Sequence, residues 1–170
     1  MTQNVSSFPA LFDLLLIAGL LVYASLHDLG ARTIPNWTSA VIAVAGLVLR
    51  LQQHDLLAGL AAGIGTFIAA AICWRRGWMG GGDVKLFGAA ALVVAPHLVF
   101  FFVTLVAFAG GALAVLYLLL GRLIGRPHRS QPRHLPLRLL RAERWRIHRH
   151  GPLPYGVAIS AGCLLTLIRT

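Results

Sequence analysis

The sequence is poor in charged residues, and in acidic residues above all. Of its 170 residues, 12% are charged and 58% are hydrophobic, with five Asp and Glu against fifteen Lys and Arg. Soluble domains of ordinary composition carry about 25% charged and 45 to 50% apolar residues. This scarcity excludes a soluble single domain. Because the charges cluster in a few short segments between long uncharged stretches, the pattern is typical of a membrane protein.

Cysteine is also scarce. Cys73 and Cys163 are far apart in the chain, and each lies inside an apolar run. Such a pair supplies neither a disulfide framework nor the closely spaced ligands of a zinc site. We interpret both as small lipophilic side chains, and we expect no metal and no cofactor.

Long apolar runs dominate the sequence, whose length allows about six membrane spans of roughly 20 residues each. The runs predict an all-α, polytopic membrane protein. The six predicted helices cover residues 9–26, 37–51, 56–74, 84–95, 98–120 and 154–168. No room remains for a second domain of ordinary size, so residues 1–170 are predicted to form a single membrane-embedded domain.

Basic residues are distributed unevenly between the two sides of this topology. Only Arg50 and Arg169 lie on one side, and the other thirteen lie on or beside the loops on the opposite side. The positive-inside rule places the basic side in the cytoplasm and both termini outside. The largest of its loops, at about 121–151, carries nine arginines. Its simplest role is attraction to anionic lipid headgroups. No nucleic-acid-binding module accompanies the charge, so we expect no nucleic-acid partner.

Two of the four aspartates, Asp28 and Asp83, fall at the cytoplasmic ends of their predicted helices. A carboxylate costs about 2.5 to 3.5 kcal/mol at the centre of a membrane helix and less near its end, so each requires an explanation. We interpret Asp13 and Asp55, on the outer side, as a headgroup-facing residue and as the cap of the third helix. For Asp28 the simple alternative is a solvated flank, and for Asp83 it is a helix cap.

Brought within a few ångströms, two carboxylates cannot both ionise easily, and the pair holds one proton. The ionised member can then draw a proton from a water molecule while the protonated member donates a hydrogen bond to a scissile carbonyl oxygen. A pair of this kind is therefore suited to peptide hydrolysis without a metal.

Each of these aspartates belongs to a short motif. Asp28 is followed by Ile34-Pro35-Asn36, in which the proline favours an extended backbone and the asparagine is a suitable N-cap for the second helix. Asp83 follows Gly80-Gly81-Gly82 and precedes Lys85 by two residues. Three consecutive glycines allow another chain to approach the backbone closely.

Together with Pro154-Tyr155-Gly156 at the start of the last helix, these motifs resemble those of the type IV prepilin peptidases. The likeness in span number, motif order and facing side covers about residues 9–168. It implies a bacterial inner-membrane aspartic endopeptidase that removes the basic leader of prepilins and pseudopilins at the cytoplasmic face. By the same resemblance, Asp28 and Asp83 are the catalytic pair.

The resemblance also implies roles for residues around the pair. Gly80 and Gly82 would be structural members of the glycine motif, and Lys85 would tune its electrostatics or anchor a lipid headgroup. Larger members of the family carry two C-x-x-C pairs and methylate the new pilin terminus. These cysteines do not occur here, so we expect no methyltransferase activity. The compact form is similar to the peptidases of tight-adherence (Flp) pili, which points to Flp-type substrates.

Two alternatives are compared with this interpretation. The eukaryotic-type intramembrane proteases also use a G-x-G-D aspartate, but they carry Tyr-Asp where this chain has His27-Asp28, and their Pro-Ala-Leu motif does not occur here. We interpret His27 as a solvated flank. The second alternative is a transporter or assembly scaffold whose aspartates bind a cation or a proton. Against it, both acids are predicted at one membrane face, and the sequence shows no internal repeat.

Overall fold

The computed structural model of the chain describes residues 8–123 and 153–169, and every regular element in that part is helical. The all-α prediction is therefore confirmed for the described residues. The predictions for the basic loop and for the side chain of Asp13 lie outside what the structure describes. The elements are α1 (Phe8–Ala31), α2 (Asn36–Gln52), α3 (Leu56–Arg75), α4 (Gly81–Val93), a 3₁₀ helix (Pro96–Leu98), α5 (Val99–Leu123) and α6 (Tyr155–Leu167).

Three stretches of the described chain are long and apolar enough to cross a membrane: Leu14–Ala31, Leu56–Arg75 and Pro96–Leu123. The helix α6 is apolar but shorter, with 13 residues. Such a helix extends only about 20 Å at 1.5 Å per residue. The chain is accordingly a membrane protein by length and composition, while the six-span topology and its orientation stay predictions.

The helix boundaries lie close to the predicted ones, with two differences that affect the aspartates. The helix α1 continues past the predicted end at residue 26 to Ala31, so Asp28 lies inside its last turn. The helix α4 begins at Gly81, which places Asp83 in its first turn. The predicted interruption at Pro96 is confirmed, and the 3₁₀ helix that starts there joins α4 to α5. Both aspartates are therefore held by regular backbone.

The short helix α4 is the centre of the fold. Nine of its 13 residues are buried, and it packs against α2, α3 and α6. Small residues permit these close contacts: a Cβ atom added at Gly46 of α2 would lie 2.9 Å from the backbone of Leu92, and one added at Gly88 would lie 2.9 Å from the Cβ of Phe67. Small residues at helix contacts are the usual means of close packing in membranes. On the other side of α6, the helices α1 and α5 complete the bundle.

A buried arginine joins three elements at the end of the bundle opposite Asp83. Arg50, only 2% exposed, donates hydrogen bonds to Asp55 Oδ2 at 2.7 Å and to the carbonyl oxygen of Val93 at 3.2 Å. Gly59 makes room for it, since an added Cβ would lie 2.6 Å from Arg50 Cδ. Asp55 does occupy the N-cap position of α3, but its side chain makes no capping bond. The prediction that this carboxylate caps α3 is wrong because it pairs with Arg50 instead.

Candidate active site

Asp28 is buried at the end of α1, where it contacts the first turn of α6. Its side chain is 5% exposed, and its Oδ2 atom accepts a hydrogen bond of 2.9 Å from the backbone N–H of Gly156. The amide can approach this closely because residue 156 has no side chain: an added Cβ would lie 2.9 Å from Asp28 Oδ2 and 3.0 Å from Asp28 Cβ. The alternative of a solvated flank is therefore wrong for Asp28.

Asp83 enters the same region from the first turn of α4. It is 9% exposed, and the backbone N–H groups of Gly80 and Gly156 donate hydrogen bonds to its carboxylate. Gly80 is the N-cap of α4, so the bond from its amide to the third helical residue is one half of a capping box. The predicted capping role is thus real. The contact with Gly156 is a second one, made to a helix residue 73 positions further along the chain.

The two carboxyl groups lie beside the same backbone amide, that of Gly156. The Gly156 amide donates to Asp28 Oδ2 at 2.9 Å and also interacts with the carboxylate of Asp83. Their charges act on each other directly. The site is thus a pair of buried acids, from α1 and α4, with a polar N–H of α6 between them. Within residues 8–123 and 153–169, no group of three or more His, Cys, Asp and Glu is arranged to hold a metal ion.

Arg32 is a member of this site that the sequence did not single out. It follows the last residue of α1 with a φ of 57°, a left-handed conformation that is uncommon outside glycine. Its guanidinium donates a hydrogen bond of 3.0 Å to the hydroxyl of Tyr117 in α5 and lies 5.6 Å from the centroid of that ring. Its positive charge also acts on Asp83. The only signal in the sequence was a basic residue between the first aspartate and the Ile-Pro-Asn motif.

The Ile-Pro-Asn motif and the glycine motif contact each other. Ile34 is buried, and a Cβ added at Gly82 would lie 3.2 Å from the Ile34 Cβ, so a side chain at position 82 would crowd the point where the two motifs cross. Pro35 is extended, as predicted, with φ −60° and ψ 135°. It also occupies the N-cap of α2, so the prediction that Asn36 is the N-cap is wrong. As the first helical residue, Asn36 is available for a different contact.

That contact is with Lys85. The ammonium of Lys85 donates a hydrogen bond of 2.9 Å to Asn36 Oδ1, and both side chains are exposed. Since successive helical residues are turned by about 100°, Lys85 lies on nearly the opposite side of α4 from Asp83. This lysine therefore links α2 to α4 on the outside of the bundle.

The remaining motif residues position the helices around the pair. Pro154 is buried as the N-cap of α6, and the Tyr155 ring packs on Gly110 of α5, where an added Cβ would lie 2.9 Å from its Cε1 atom. His27 donates from Nδ1 to the carbonyl oxygen of Thr33 at 2.6 Å. His27 is partly exposed, and it also joins the end of α1 to the following loop, a contact that the predicted role as a solvated flank did not include.

Comparison with known proteins gives two matches. Residues 15–115 match a family model described as the type IV leader peptidase family. The prepilin leader peptidase/N-methyltransferase of Bacillus subtilis (strain 168) is 30% identical over 166 residues, which cover 93% of this chain and 56% of that protein. The chain thus spans little more than half the length of this relative. No solved structure gives a match.

Proposed function

This chain belongs to the type IV leader peptidase family, and from that premise we propose that it is an aspartic endopeptidase that cleaves the leader from type IV prepilins and pseudopilins. The observation that carries the proposal is the approach of Asp28 and Asp83 to the same amide of Gly156. A pair of buried carboxyl groups is more than a helix cap needs, and it supplies both the base and the proton donor for aspartic peptide hydrolysis without a metal.

The reaction follows from the pair's shared proton. One carboxylate, in its ionised form, takes a proton from a water molecule as the water oxygen attacks the scissile carbonyl carbon, and the protonated partner donates a hydrogen bond to the carbonyl oxygen. In the tetrahedral intermediate the first residue returns its proton to the leaving nitrogen. The C–N bond then breaks, giving a new carboxyl group and a new amino terminus. The amide of Gly156 supports a negative charge on the pair throughout.

The substrate and the location are inferred from motif and charge. The compact arrangement of motifs favours Flp-type prepilins, whose cleavage would occur at the cytoplasmic face of a bacterial inner membrane. In support, both aspartates lie at the end of the bundle that the charge distribution predicts to face inward. The run of glycines before Asp83 leaves backbone against which an extended substrate can lie. Membrane lipids surround the bundle in this location.

The proposal is tested by coexpression with a Flp-type prepilin and mass spectrometry of the leader junction. Asp28→Asn and Asp83→Asn should each reduce cleavage by about 100- to 10,000-fold, the usual range for loss of a general acid or base. The double variant should be scarcely worse than either single one, because the pair acts as a unit. Both should fold, since Asn preserves the shape and removes a like-charge contact.

Asp13→Asn is the control, because that residue is predicted to face the outer headgroups. Asp55→Asn is unsuitable as a control, since it breaks the ion pair with Arg50. Near-normal leader removal by a folded Asp28→Asn or Asp83→Asn variant would contradict the peptidase proposal. The transporter or scaffold alternative would then account better for the two acids.

The proposed orientation has its own test. In a variant without the native cysteines, a cysteine at position 53 should react with an impermeant maleimide in intact cells, and one at position 130 should react only after lysis. Gln53 follows the last residue of α2, at the end predicted to face outward, whereas Ser130 lies in the predicted cytoplasmic loop. Labelling of position 130 in intact cells would place the aspartates on the outer face and contradict the proposed location.

A further inference from the structure

A groove of about 370 Å³ runs along the outside of the bundle between α2 and α3, with α4 as its floor. Each of the three helices contributes four residues at the spacing i, i+3, i+4, i+7, so a continuous stripe of each helix faces the groove. The lining is apolar except at one end, where Asn36, Ser39 and Lys85 come together. This polar end lies at the level of the aspartates, on the predicted cytoplasmic side.

The groove is open to the surroundings along α3 and closed beneath. Ile64 and Phe67 on its wall are 55% and 44% exposed. Beneath, the wall formed by α3 packs closely on the floor helix, since a Cβ added at Gly63 would lie 2.6 Å from Leu92 Cδ2 of α4. Because α3 is long and apolar enough to cross a membrane, the molecules beside this opening are lipid chains.

We propose that this groove is a binding site for one anionic glycerophospholipid, with its phosphate on Lys85 and one acyl chain lying between α2 and α3. Lys85 has three N–H donors, of which the bond to Asn36 Oδ1 uses one. Its position at the membrane edge, at the polar end of an apolar groove, matches the order of a phospholipid from headgroup to chain. Positive charge at this depth attracts anionic headgroups by about 1 kcal/mol per residue.

Ser39 is a second polar residue of the groove that suits a phospholipid. It lines the groove about 4.5 Å further along α2 than Asn36, at three residues of 1.5 Å rise. Its Oγ atom is buried, and among the described residues it has no hydrogen-bond partner. An ester oxygen of the glycerol backbone, which lies just below the phosphate in a phospholipid, would give this hydroxyl an acceptor after a change of rotamer.

The dimensions of the groove suit one acyl chain. The volume holds about a dozen methylene-sized groups at roughly 30 Å³ each. The groove extends along α2 from residue 36 to residue 43, about 10 Å at 1.5 Å per residue. One acyl chain can therefore lie along the groove, and an apolar helix of a substrate would be a competing occupant of the same face.

Native mass spectrometry of the delipidated protein tests the site. Phosphatidylglycerol and phosphatidylethanolamine with identical chains should each be titrated, and we expect one phosphatidylglycerol to be retained with about fivefold preference. Lys85→Gln should remove that preference. Ala40→Phe, which fills the groove, should reduce binding of both lipids about tenfold or more, because the chain loses its contacts. Val44→Phe is the matched control, on the same helix but outside the groove, and should bind like the wild type.

A photoreactive acyl chain gives a second measurement that needs no variant. It should label α3 between residues 60 and 67, even if Ala40→Phe fails to fold. The proposal is overturned if Ala40→Phe and Val44→Phe bind lipid alike, if labelling is spread evenly over the exposed helices, or if glycerophosphate without chains competes as well as the lipid. Preferential labelling by an apolar helical peptide would also overturn it. These readouts do not depend on peptidase activity.

Discussion

Replacing Gly156 with alanine should disable the proposed active site while leaving both aspartates in the chain. The added Cβ would lie 2.9 Å from Asp28 Oδ2, 3.0 Å from Asp28 Cβ and 3.1 Å from Asp28 Cγ. Ordinary van der Waals contacts begin near 3.4 Å, so α1 and α6 must separate by roughly half an ångström. That movement lengthens the 2.9 Å bond from the Gly156 amide and draws the two carboxylates apart.

The size of the effect can be estimated from these contacts. Overpacking of a buried position costs about 1 to 3 kcal/mol of stability. Loss of a hydrogen bond to a charged group costs about 1.5 to 3 kcal/mol when the bond is broken entirely. A displacement of reacting groups by about 1 Å can reduce a rate about 100-fold, so half that distance should lower kcat by about tenfold or more. The assay is leader removal by purified variant in detergent, with kcat and thermal unfolding measured on the same sample.

Two other glycines separate steric strain from damage to the site. Gly162→Ala lies on the same helix and meets Val106 Cγ2 at 2.6 Å, so it should lower stability with little change in kcat of the folded protein. Gly19→Ala lies on α1 with nothing within 4 Å of its added Cβ and should change neither property for the worse. If folded Gly156→Ala retained kcat within about twofold of the wild type, the assigned role of the Gly156 amide would be refuted.

Other predictions concern the surrounding charges. Arg32→Gln should lower kcat about tenfold, which corresponds to roughly 1.4 kcal/mol of lost charge stabilisation. Arg32→Lys should recover part of that rate because it keeps the positive charge. If Arg32→Gln had the kinetics of the wild type, Arg32 would not belong to the active site. Asp55→Asn should lower the free energy of unfolding by about 3 kcal/mol, near the low end for breaking a buried ion pair because the Asp55 side chain is 30% exposed. A melting temperature within about 1 °C of the wild type would contradict this prediction. Chelators should leave leader cleavage unchanged, whereas loss of activity restored by zinc would contradict the two-aspartate mechanism.

The parts of the fold that depend on local sequence were predictable. Apolar run lengths predicted the helices, and Pro96 predicted the break between α4 and α5, because a proline cannot donate the hydrogen bond that a continuing helix needs. The ends of the runs also placed Asp28 and Asp83 at the same level. These predictions need only the geometry of one helix at a time.

The contacts between helices were not predictable in the same way. Asp28 and Gly156 are 128 residues apart, and their bond depends on how α6 inserts between α1 and α4. The capping predictions for Asn36 and Asp55 failed for a related reason. Both residue types favour a local capping role, but here the side chain of Asn36 accepts a hydrogen bond from Lys85, and that of Asp55 accepts one from Arg50. Arg32 could be recognised only once Tyr117 and Asp83 were known to surround it.

The contacts at the two ends of α4 affect how the position of Asp83 depends on the thickness of the membrane. At its start the helix carries the carboxyl group of Asp83, and at its end the buried Arg50 donates a hydrogen bond to the carbonyl oxygen of Val93. The ionised form of Asp83 and the Arg50 cation thus each lie at the end of the helix where the dipole favours their charge. Both attachments are made to protein, and nine of the 13 residues of α4 are buried. Changes in bilayer thickness act on helices that touch lipid, through tilt and mismatch. The depth of Asp83 is consequently set by contacts within the bundle, and a thinner or thicker membrane acts first on the lipid-facing sides of α1, α3 and α5.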